Sequence, residues 1–219
     1  MHSNLAFYDT RVIGALLEKE ITTPDQYPLS LNALTNACNQ KSNRDPVLNL
    51  DEATVQQTLD GLIKKHLVSA KTGFGSRVTK YQHRFCNTAF GALRLSAQEL
   101  AIVAELLLRG PQTPGGLRTR AERLGKFNDV QEVEAALRSL IEREDGPFVA
   151  KLAREGGRRE SRYAHLFSGE VQAAESAAGP DMEVSLTHSD HDRLSELEQQ
   201  IAALRQEISE IRILLEQRT

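Results

Sequence analysis

Two histidines in matching surroundings are the residues of this sequence best suited to chemistry. His83 and His165 each stand in the middle of a Tyr-x-His-x-Phe segment. An imidazole titrates near neutral pH, so it can serve as a general acid, a general base or a metal ligand. The motif occurs twice, however, and a repeated motif favours a repeated structural role. We therefore predict that each histidine makes a structural hydrogen bond in its strand, with catalysis or metal binding as the alternative.

Other reactive side chains lack the partners that catalysis requires. Cys38 and Cys86 form no CxxC pair, so both thiols are predicted to be reduced and buried or inert. His188 and His191 are three residues apart, a spacing too weak by itself for a metal site. The sequence has no GxSxG elbow, no Walker loop and no HExxH motif. We therefore predict a protein without enzymatic activity, cofactor or bound metal.

Basic residues form the second chemically relevant group. The net charge is -3, but residues 1–170 hold 23 Lys and Arg against 20 Asp and Glu, while residues 171–219 hold 4 against 10. The acid is concentrated in the tail, so an acidic protein of this kind can still bind nucleic acid, although its basic excess is small. The residues predicted to contact DNA are Gln57, Lys64, Arg77, Lys80, Arg118, Arg120, Arg123, Arg138, Arg154, Arg158, Arg159 and Arg162.

A helix followed by a β-hairpin is expected to position the predicted DNA contacts from Gln57 to Lys80. From Val55 to Ile63 the apolar side chains recur with the period of a helix. A short β-type run follows, then a turn with Gly73 and Gly75 at its tip, then a strand that ends at Phe85. A helix that leads into a hairpin in this order is typical of the second half of a winged helix-turn-helix.

Three blocks of the chain occur twice in the same order. VEAALRSLIER lies 78 positions after VQQTLDGLIKK with four identities in eleven residues, and RESRYAHLF lies 82 positions after RVTKYQHRF with four in nine. Upstream, IVAELLLRGPQTP lies 90 positions after VIGALLEKEITTP, which aligns Thr23-Pro24 with Thr113-Pro114. A period this long indicates duplicated domains. We expect each copy to bury a small core of its own.

The predicted fold class is α+β, mostly α, with two tandem winged helix-turn-helix domains followed by a C-terminal coiled-coil helix. The predicted bounds are 1–93 and 94–170 for the two domains, 171–190 for a flexible linker and 191–219 for the final helix. Helices are expected to start where a small polar side chain can cap them. These caps are Ser30, Asn49 or Asp51, Ser96 (with Glu99), Thr113, and Asn128 or Asp129.

The C-terminal segment carries an apolar heptad pattern. Its spacings alternate between three and four residues, which is typical of a coiled-coil seam. We predict a homodimer through this helix, and the alternative is a tail helix that docks on its own domains. The seam consists of Leu194, Leu197, Ile201, Leu204, Ile208, Ile211 and Leu215.

Long stretches between Arg11 and Ser168 also carry specific motifs. They are TRVIGALLEKEITTPDQYPLSLNAL, ACNQKSNRDPVLNLDE, GFGSRVTKYQHRF, RGPQTPGGLRTRAERL and REDGPFVAKLAREGGRRESRYAHLF. These motifs resemble those of the YceH-like family of bacterial proteins. The resemblance implies tandem winged helices and a cytosolic protein. It implies no catalytic residues, because the family is functionally uncharacterised.

The first functional hypothesis is double-stranded DNA binding by a cytoplasmic transcriptional regulator. In that mode the third helix of each copy enters the major groove, with Gln57 and Arg138 as base readers, and the wings meet phosphates. Asp60 and Glu142 on the same faces oppose this binding. The alternative is a protein-interaction scaffold that uses the winged-helix grooves without touching DNA. We expect no signal peptide, since MHSNLAFYDT lacks a basic region and a long apolar run, and no apolar run of the sequence is long enough for a membrane, so a cytoplasmic location is expected.

Overall fold

The computed structural model describes residues 4–72, 78–89, 91–154 and 160–169 of this chain, which have an α+β fold. Six α-helices and two small antiparallel sheets make up this part of the chain. In order they are α1 (Phe7–Thr22), β1 (Leu29–Ser30), α2 (Leu31–Cys38), α3 (Glu52–Lys64), β2 (Val68–Thr72), β3 (Thr79–His83), α4 (Ala97–Arg109), α5 (Pro114–Ala121), α6 (Val130–Glu142), β4 (Val149–Lys151) and β5 (Tyr163–His165). Of the described helices, none combines the length and apolarity needed to cross a membrane.

The same succession of elements occurs in both halves, which we call the first and second repeats. In the first repeat the strand order is β1-β3-β2, and Tyr81 lies opposite Leu29 on one side and Ala70 on the other. In the second repeat β4 pairs with β5, so Tyr163 lies opposite Lys151. Gln112 forms an isolated antiparallel bridge with Tyr163 on the other side, at the place that β1 takes in the first repeat.

Polar side chains cap the helices as predicted. Ser30 Oγ accepts from the amide of Ala33, and Asp51 and Asp129 cap α3 and α6. Thr113 caps α5, and Ser96 with Glu99 forms the capping box of α4. Each cap satisfies a backbone amide that has no partner inside the helix, which stabilises the start of the helix by about 1 kcal/mol.

The alignment of Thr23-Pro24 with Thr113-Pro114 is wrong. Pro24 begins a short 3-10 turn after α1, whereas Pro114 is the first residue of α5. The residue equivalent to Thr113 is Ser30, because each caps the second helix of its repeat and follows the residue that bridges to the tyrosine. The extra residues of the first repeat, which the spacing of the repeated blocks placed between its first and third helices, therefore fall on both sides of α2.

An ion pair at equivalent positions ties the first helix to the third in each repeat. Lys65 Nζ lies 2.7 Å from Asp9 Oδ2, and Arg143 Nη1 lies 3.8 Å from Glu99 Oε2. The same carboxylates accept from the amides of Ala6 and Ser96 at the starts of α1 and α4. One acidic side chain thus caps the first helix and holds the end of the third.

The expectation that each repeat buries its own core is wrong for the described residues. Buried apolar residues from Leu5 to Phe167 form one connected cluster, and α1 packs along α4. Gly14 permits the close approach, since a Cβ there would lie 2.9 Å from Leu108 Cγ. Phe85 and Phe167, the last residues of the two Tyr-x-His-x-Phe segments, meet edge to face with ring centroids 4.9 Å apart. The two repeats therefore share a core, and the predicted boundary at residues 93 and 94 stays a prediction.

A buried polar cluster lies where α1 and α4 meet. The polar loop after α2 enters this space, because Asn43 adopts a left-handed φ of 55° that turns the chain inward. Arg44 Nη2 lies 2.7 Å from Glu18 Oε2, and the guanidinium also donates to the carbonyl of Ala37. Asn43 Nδ2 donates to Glu18 and, at 2.8 Å, to Glu105 Oε1. We call Glu18, Asn43, Arg44 and Glu105 the junction cluster.

The two carboxyl groups of the junction cluster differ in their titration. Burial raises the pKa of Glu105, the charge of nearby Glu18 adds to this effect, and its Oε2 has no hydrogen-bond partner among the described residues. Burial acts in the same direction on Glu18, but the hydrogen bond and charge of Arg44 outweigh it, and the pKa of Glu18 is lowered. One carboxyl therefore favours its protonated form and the other its ionised form.

We predict that Arg44→Met lowers the free energy of unfolding by about 3–5 kcal/mol, because it leaves the Glu18 carboxylate buried without its main partner. The control is Lys65→Met, which breaks an ion pair with the same 2.7 Å separation but a lysine side chain that is 45% exposed. That change is expected to lower stability by about 1 kcal/mol or less. Urea unfolding measures both, and equal losses would show that burial does not set the strength of the Glu18–Arg44 pair.

We also predict that Glu105→Gln makes the fold more stable at neutral pH and flattens its pH profile. The pKa of Glu105 is raised above its ordinary value of 4.5, so its stabilising contribution is complete below pH 4.5 and declines as the pH rises through the folded-state pKa. Glu18→Gln is the control with the opposite sign, because the lowered pKa of Glu18 means that its contribution is lost as the pH falls. Denaturant unfolding from pH 4 to pH 9 decides; a Glu105→Gln profile parallel to wild type would contradict the assignment.

Candidate nucleic-acid interface

The outward faces of the third helices are exposed, and each carries carboxylates beside its basic residues. On α3, Gln57 and Lys64 lie on the same exposed face as Asp60, whereas Glu52 at the helix start accepts from Asn32 Nδ2. Gln56 Nε2 donates to Asp60 Oδ1 at 2.8 Å, which holds that carboxylate on the helix surface. A face of this kind repels phosphate, because like charges oppose approach to the duplex backbone.

The equivalent face of α6 has the same character. Arg138 is exposed there beside Ser139 and between two exposed acids, Glu134 and Glu142. Ser139 Oγ donates to Glu99 Oε1 at 2.7 Å, so its hydroxyl already serves the repeat-internal contact described above. An open depression of about 510 Å³ lies on this face. It offers room for a partner but little positive charge.

The hairpin of the first repeat presents a pair of lysines. Lys80 on β3 lies directly opposite Lys71 on β2, and both side chains are exposed. Two ammonium groups at opposite positions of a ladder repel each other and form a local positive patch. The sequence motif pointed to Lys80 alone, and only the strand register brings Lys71 beside it. Arg77, predicted to contact DNA from this hairpin, lies outside the described residues.

Basic side chains of the second repeat converge on one cleft, which we call the basic cleft. It has a volume of about 290 Å³ and lies between the start of α5, the end of β4 and the start of β5. Lys151 and Arg154 supply its positive charge, and Ser161 and Tyr163 supply hydroxyl groups. Glu134 and Glu160 also border it. The cleft thus joins cations and hydrogen-bond donors at a helix start, which are the groups that bind phosphate oxygens.

Glu160 lies against the start of α5. A Cβ added to Gly115 would lie 3.8 Å from Glu160 Oε2, so the carboxylate covers the first turn of this helix. A negative charge at a helix start is favourable, because the helix dipole and the free amides attract it. The carboxylate therefore occupies part of the position that a phosphate would take.

The arginines of α5 keep most of their charge uncompensated. Arg118 donates to the carbonyl of Asn128, and Arg120 donates to Gln112 Oε1, both of which are neutral acceptors. Within the described ranges, neither guanidinium nor those of Arg138 and Arg154 form an ion pair. Exposed cations without carboxylate partners remain available to an anionic partner.

Arg123 differs from the other arginines near α5. Its Nη2 lies 3.3 Å from Glu18 Oε1, so it pairs with the junction cluster of the first repeat while its side chain stays 57% exposed. Arg162, which directly precedes β5, is half-buried. Arg158 and Arg159 lie outside the described residues, as do the linker 171–190 and the seven seam residues from Leu194 to Leu215. Their predicted roles stay predictions.

The two histidines have unlike surroundings. His83 Nε2 and Glu20 Oε2 lie 2.6 Å apart, which confirms the predicted structural hydrogen bond in the first repeat and lowers the pKa of Glu20. His165 departs from the prediction, because no bond like that of His83 to Glu20 is present within the described residues. Nδ1 of both rings is buried without a partner there, and burial lowers the pKa of His165 to about 4. Cys38 and Cys86 are buried free thiols, as predicted, and burial raises the pKa of each to about 12.

Comparison with known proteins places the chain among uncharacterised relatives. Residues 5–158 match the sequence model of the family described as "Protein of unknown function, DUF480". A UPF0502 protein of Hahella chejuensis is 58% identical over 207 residues, covering 94% of this chain and 93% of that protein. A UPF0502 protein of Serratia proteamaculans is 56% identical over 208 residues, covering 95% of each. One of Photobacterium profundum is 54% identical over 221 residues, covering 100% of each.

Proposed function

We propose that this chain, which belongs to the DUF480 family, binds double-stranded DNA and acts as a transcriptional regulator. The proposal treats its two repeats as tandem winged helices and its C-terminal heptad segment as the contact of a homodimer. The recurring order of three helices and a hairpin, with a short strand or bridge before the second helix, supports the first part. The family resemblance predicted from the sequence motifs is confirmed, and it leaves the function open.

The basic cleft carries the proposal. It combines Lys151, Arg154 and the start of α5, and the unpaired guanidinium groups of Arg118 and Arg120 lie on the same helix. Contacts of this kind bind the DNA backbone and carry no sequence information. The acidic faces of α3 and α6 contribute less, so we propose binding that is dominated by phosphate contacts and strongly dependent on salt.

A protein-interaction scaffold is the second candidate. The depression on α6 favours a scaffold role, because it has little excess positive charge. The short side chains of Ala135 and Ser139 line it, together with charged side chains of both signs. A protein partner with basic side chains would match Glu142 and Glu144 there. The two candidates use different surfaces, so the same variants distinguish them.

We predict that replacing Arg118, Arg120 and Arg154 with Ala weakens binding to a random-sequence DNA duplex about tenfold or more. The plot of log affinity against log salt concentration should also flatten by about 2–3 units, since each lost phosphate contact removes about 0.9. Fluorescence anisotropy with the full chain at several salt concentrations measures both.

The matched control replaces Lys41, Arg84 and Arg94 with Ala, which removes the same charge from exposed positions away from the cleft. We expect this variant to keep nearly wild-type affinity and slope. Equal losses in the two triple variants, or no salt-dependent binding by the wild-type chain, would contradict the phosphate-binding role of the cleft and leave the scaffold as the favoured function.

We further predict that Glu160→Gln strengthens DNA binding by about two- to fivefold at low salt, because it removes the negative charge that covers the start of α5. Glu144→Gln removes the same charge at an exposed position after α6 and should leave affinity nearly unchanged. Anisotropy titrations of the two variants beside wild type provide the measurement. Indistinguishable affinities for the two variants would show that Glu160 does not compete with phosphate.

A further inference from the structure

A second cavity lies where the two repeats meet, apart from the basic cleft and from the third-helix faces. We call it the junction cavity. It has a volume of about 300 Å³ and is bordered by the start of α1, the end of α4 and the end of β5. Leu5, Phe7, Leu106 and Leu107 give it largely apolar walls. The amide of Leu5 donates to the carbonyl of Phe167 at 2.8 Å, which holds the N-terminal segment over the end of the second hairpin.

The size of this cavity suits a small organic molecule. Ligand sites in proteins begin at about 300 Å³ and are lined mainly by apolar side chains with a few polar groups. The junction cavity meets this description, and its walls come from both repeats.

The polar border of the cavity includes a buried cation, Arg11. The residue is 2% exposed, and its Nη1 and Nη2 donate to the carbonyls of Cys38 and Pro46 at 3.0 and 2.6 Å. Its Nε has no acceptor within the described part of the chain, and Arg11 forms no ion pair there. Neutral carbonyl groups compensate a buried charge only in part. The positive charge of Arg11 is therefore only partly compensated by the groups around it.

Some of the charged groups near Arg11 stabilise its positive charge and others oppose it. Burial lowers the pKa of Arg11 and the neighbouring Arg44 lowers it further, whereas Asp45 acts in the opposite direction. Asp45 borders the cavity but is exposed to solvent, so its compensation is weakened by water. His165, which also borders the cavity, is neutral at physiological pH because burial lowers its pKa to about 4.

We propose that the junction cavity binds a small organic acid, whose carboxylate lies near Arg11 and whose apolar body packs against the leucine walls. The buried cation selects for the carboxylate, because an electrostatic contact with a charge that is itself shielded from solvent is stronger than one between exposed groups. The apolar walls select for an aromatic or branched aliphatic body. A ligand held there touches both repeats and stabilises their contact. The binding itself does not depend on the DNA-binding proposal.

Sodium benzoate is the probe for this site, and benzamide is its neutral isostere. With the full-length chain at constant ionic strength, we expect benzoate to raise the melting temperature and to bind saturably with a Kd of about 1 mM or below. Benzamide should bind about tenfold or more weakly. In NMR titrations the largest amide shifts should fall at Leu106, Gly110 and His165.

Two variants test the charge assignment in opposite directions. Arg11→Met keeps the length of the side chain and should weaken benzoate binding about tenfold or more. Asp45→Asn removes the opposing charge at the rim and should tighten it about threefold. The second change is on an exposed side chain, so it decides the question even where Arg11→Met fails to fold.

Three results would overturn the proposal. Benzamide that binds as tightly as benzoate would show that no carboxylate is recognised. An Asp45→Asn variant with unchanged or weaker benzoate affinity would show that the cavity does not attract anions. Shifts that map to Lys151 and Arg154 would place the benzoate in the basic cleft, where any anion is attracted.

Discussion

The buried ion pair between Glu18 and Arg44 is the contact on which the joint between the repeats depends. The desolvation of two charges is unfavourable, and their attraction offsets it only when the remaining donors and acceptors are satisfied. Here Arg44 donates in a fork to Glu18 and also to the carbonyl of Ala37, while Glu18 receives further bonds from Asn43 and Arg123. Such a network tolerates few alternatives, so it selects one packing of α1 against α4 from those that an apolar interface alone would allow.

That constraint determines how the two charged surfaces are presented. Because the repeats share a core, the lysine pair of the first hairpin and the basic cleft of the second repeat are carried on one compact unit. A binding partner must therefore accept both surfaces in a fixed relation or use only one of them. The outward faces of α3 and α6 add a further restriction, because each carries carboxylates that offset its basic side chains and weaken the attraction of a polyanion. These features favour contact through hairpins and α5 over the insertion of a third helix.

Local patterns in the sequence were sufficient to predict most elements, whereas the joint was not predictable. Ser30, Thr113, Asp51 and the Ser96–Glu99 box cap their helices because capping depends on residues within one turn. The burial of Arg44 depends instead on Glu18, 26 residues away, and its neighbours Asn43 and Asp45 bond to Glu105 and Leu108 of the other repeat. A run of polar residues with a proline predicts a solvated loop. Nothing in the composition of this loop indicates that Arg44 pairs with the buried carboxylate of Glu18. The core shared by the two repeats could not be predicted for the same reason. Periodicity identifies the buried face of a helix but does not show which element packs against that face.

The differences between the repeats indicate how the two copies divide their tasks. Both retain the contact between the first and third helices, through Asp9 with Lys65 and Glu99 with Arg143. Only the first has the longer loop after α2 that supplies Asn43 and Arg44 to the joint. In the second, α5 is followed closely by α6, and its arginines point to neutral acceptors or to solvent, apart from Arg123, which returns to Glu18. The first repeat therefore supplies the loop of the joint with its extra chain, and the second, which lacks that loop, presents the arginines of α5 and the basic cleft. A duplicated module can specialise in this way because the contact that holds each copy together is separate from the surfaces that changed.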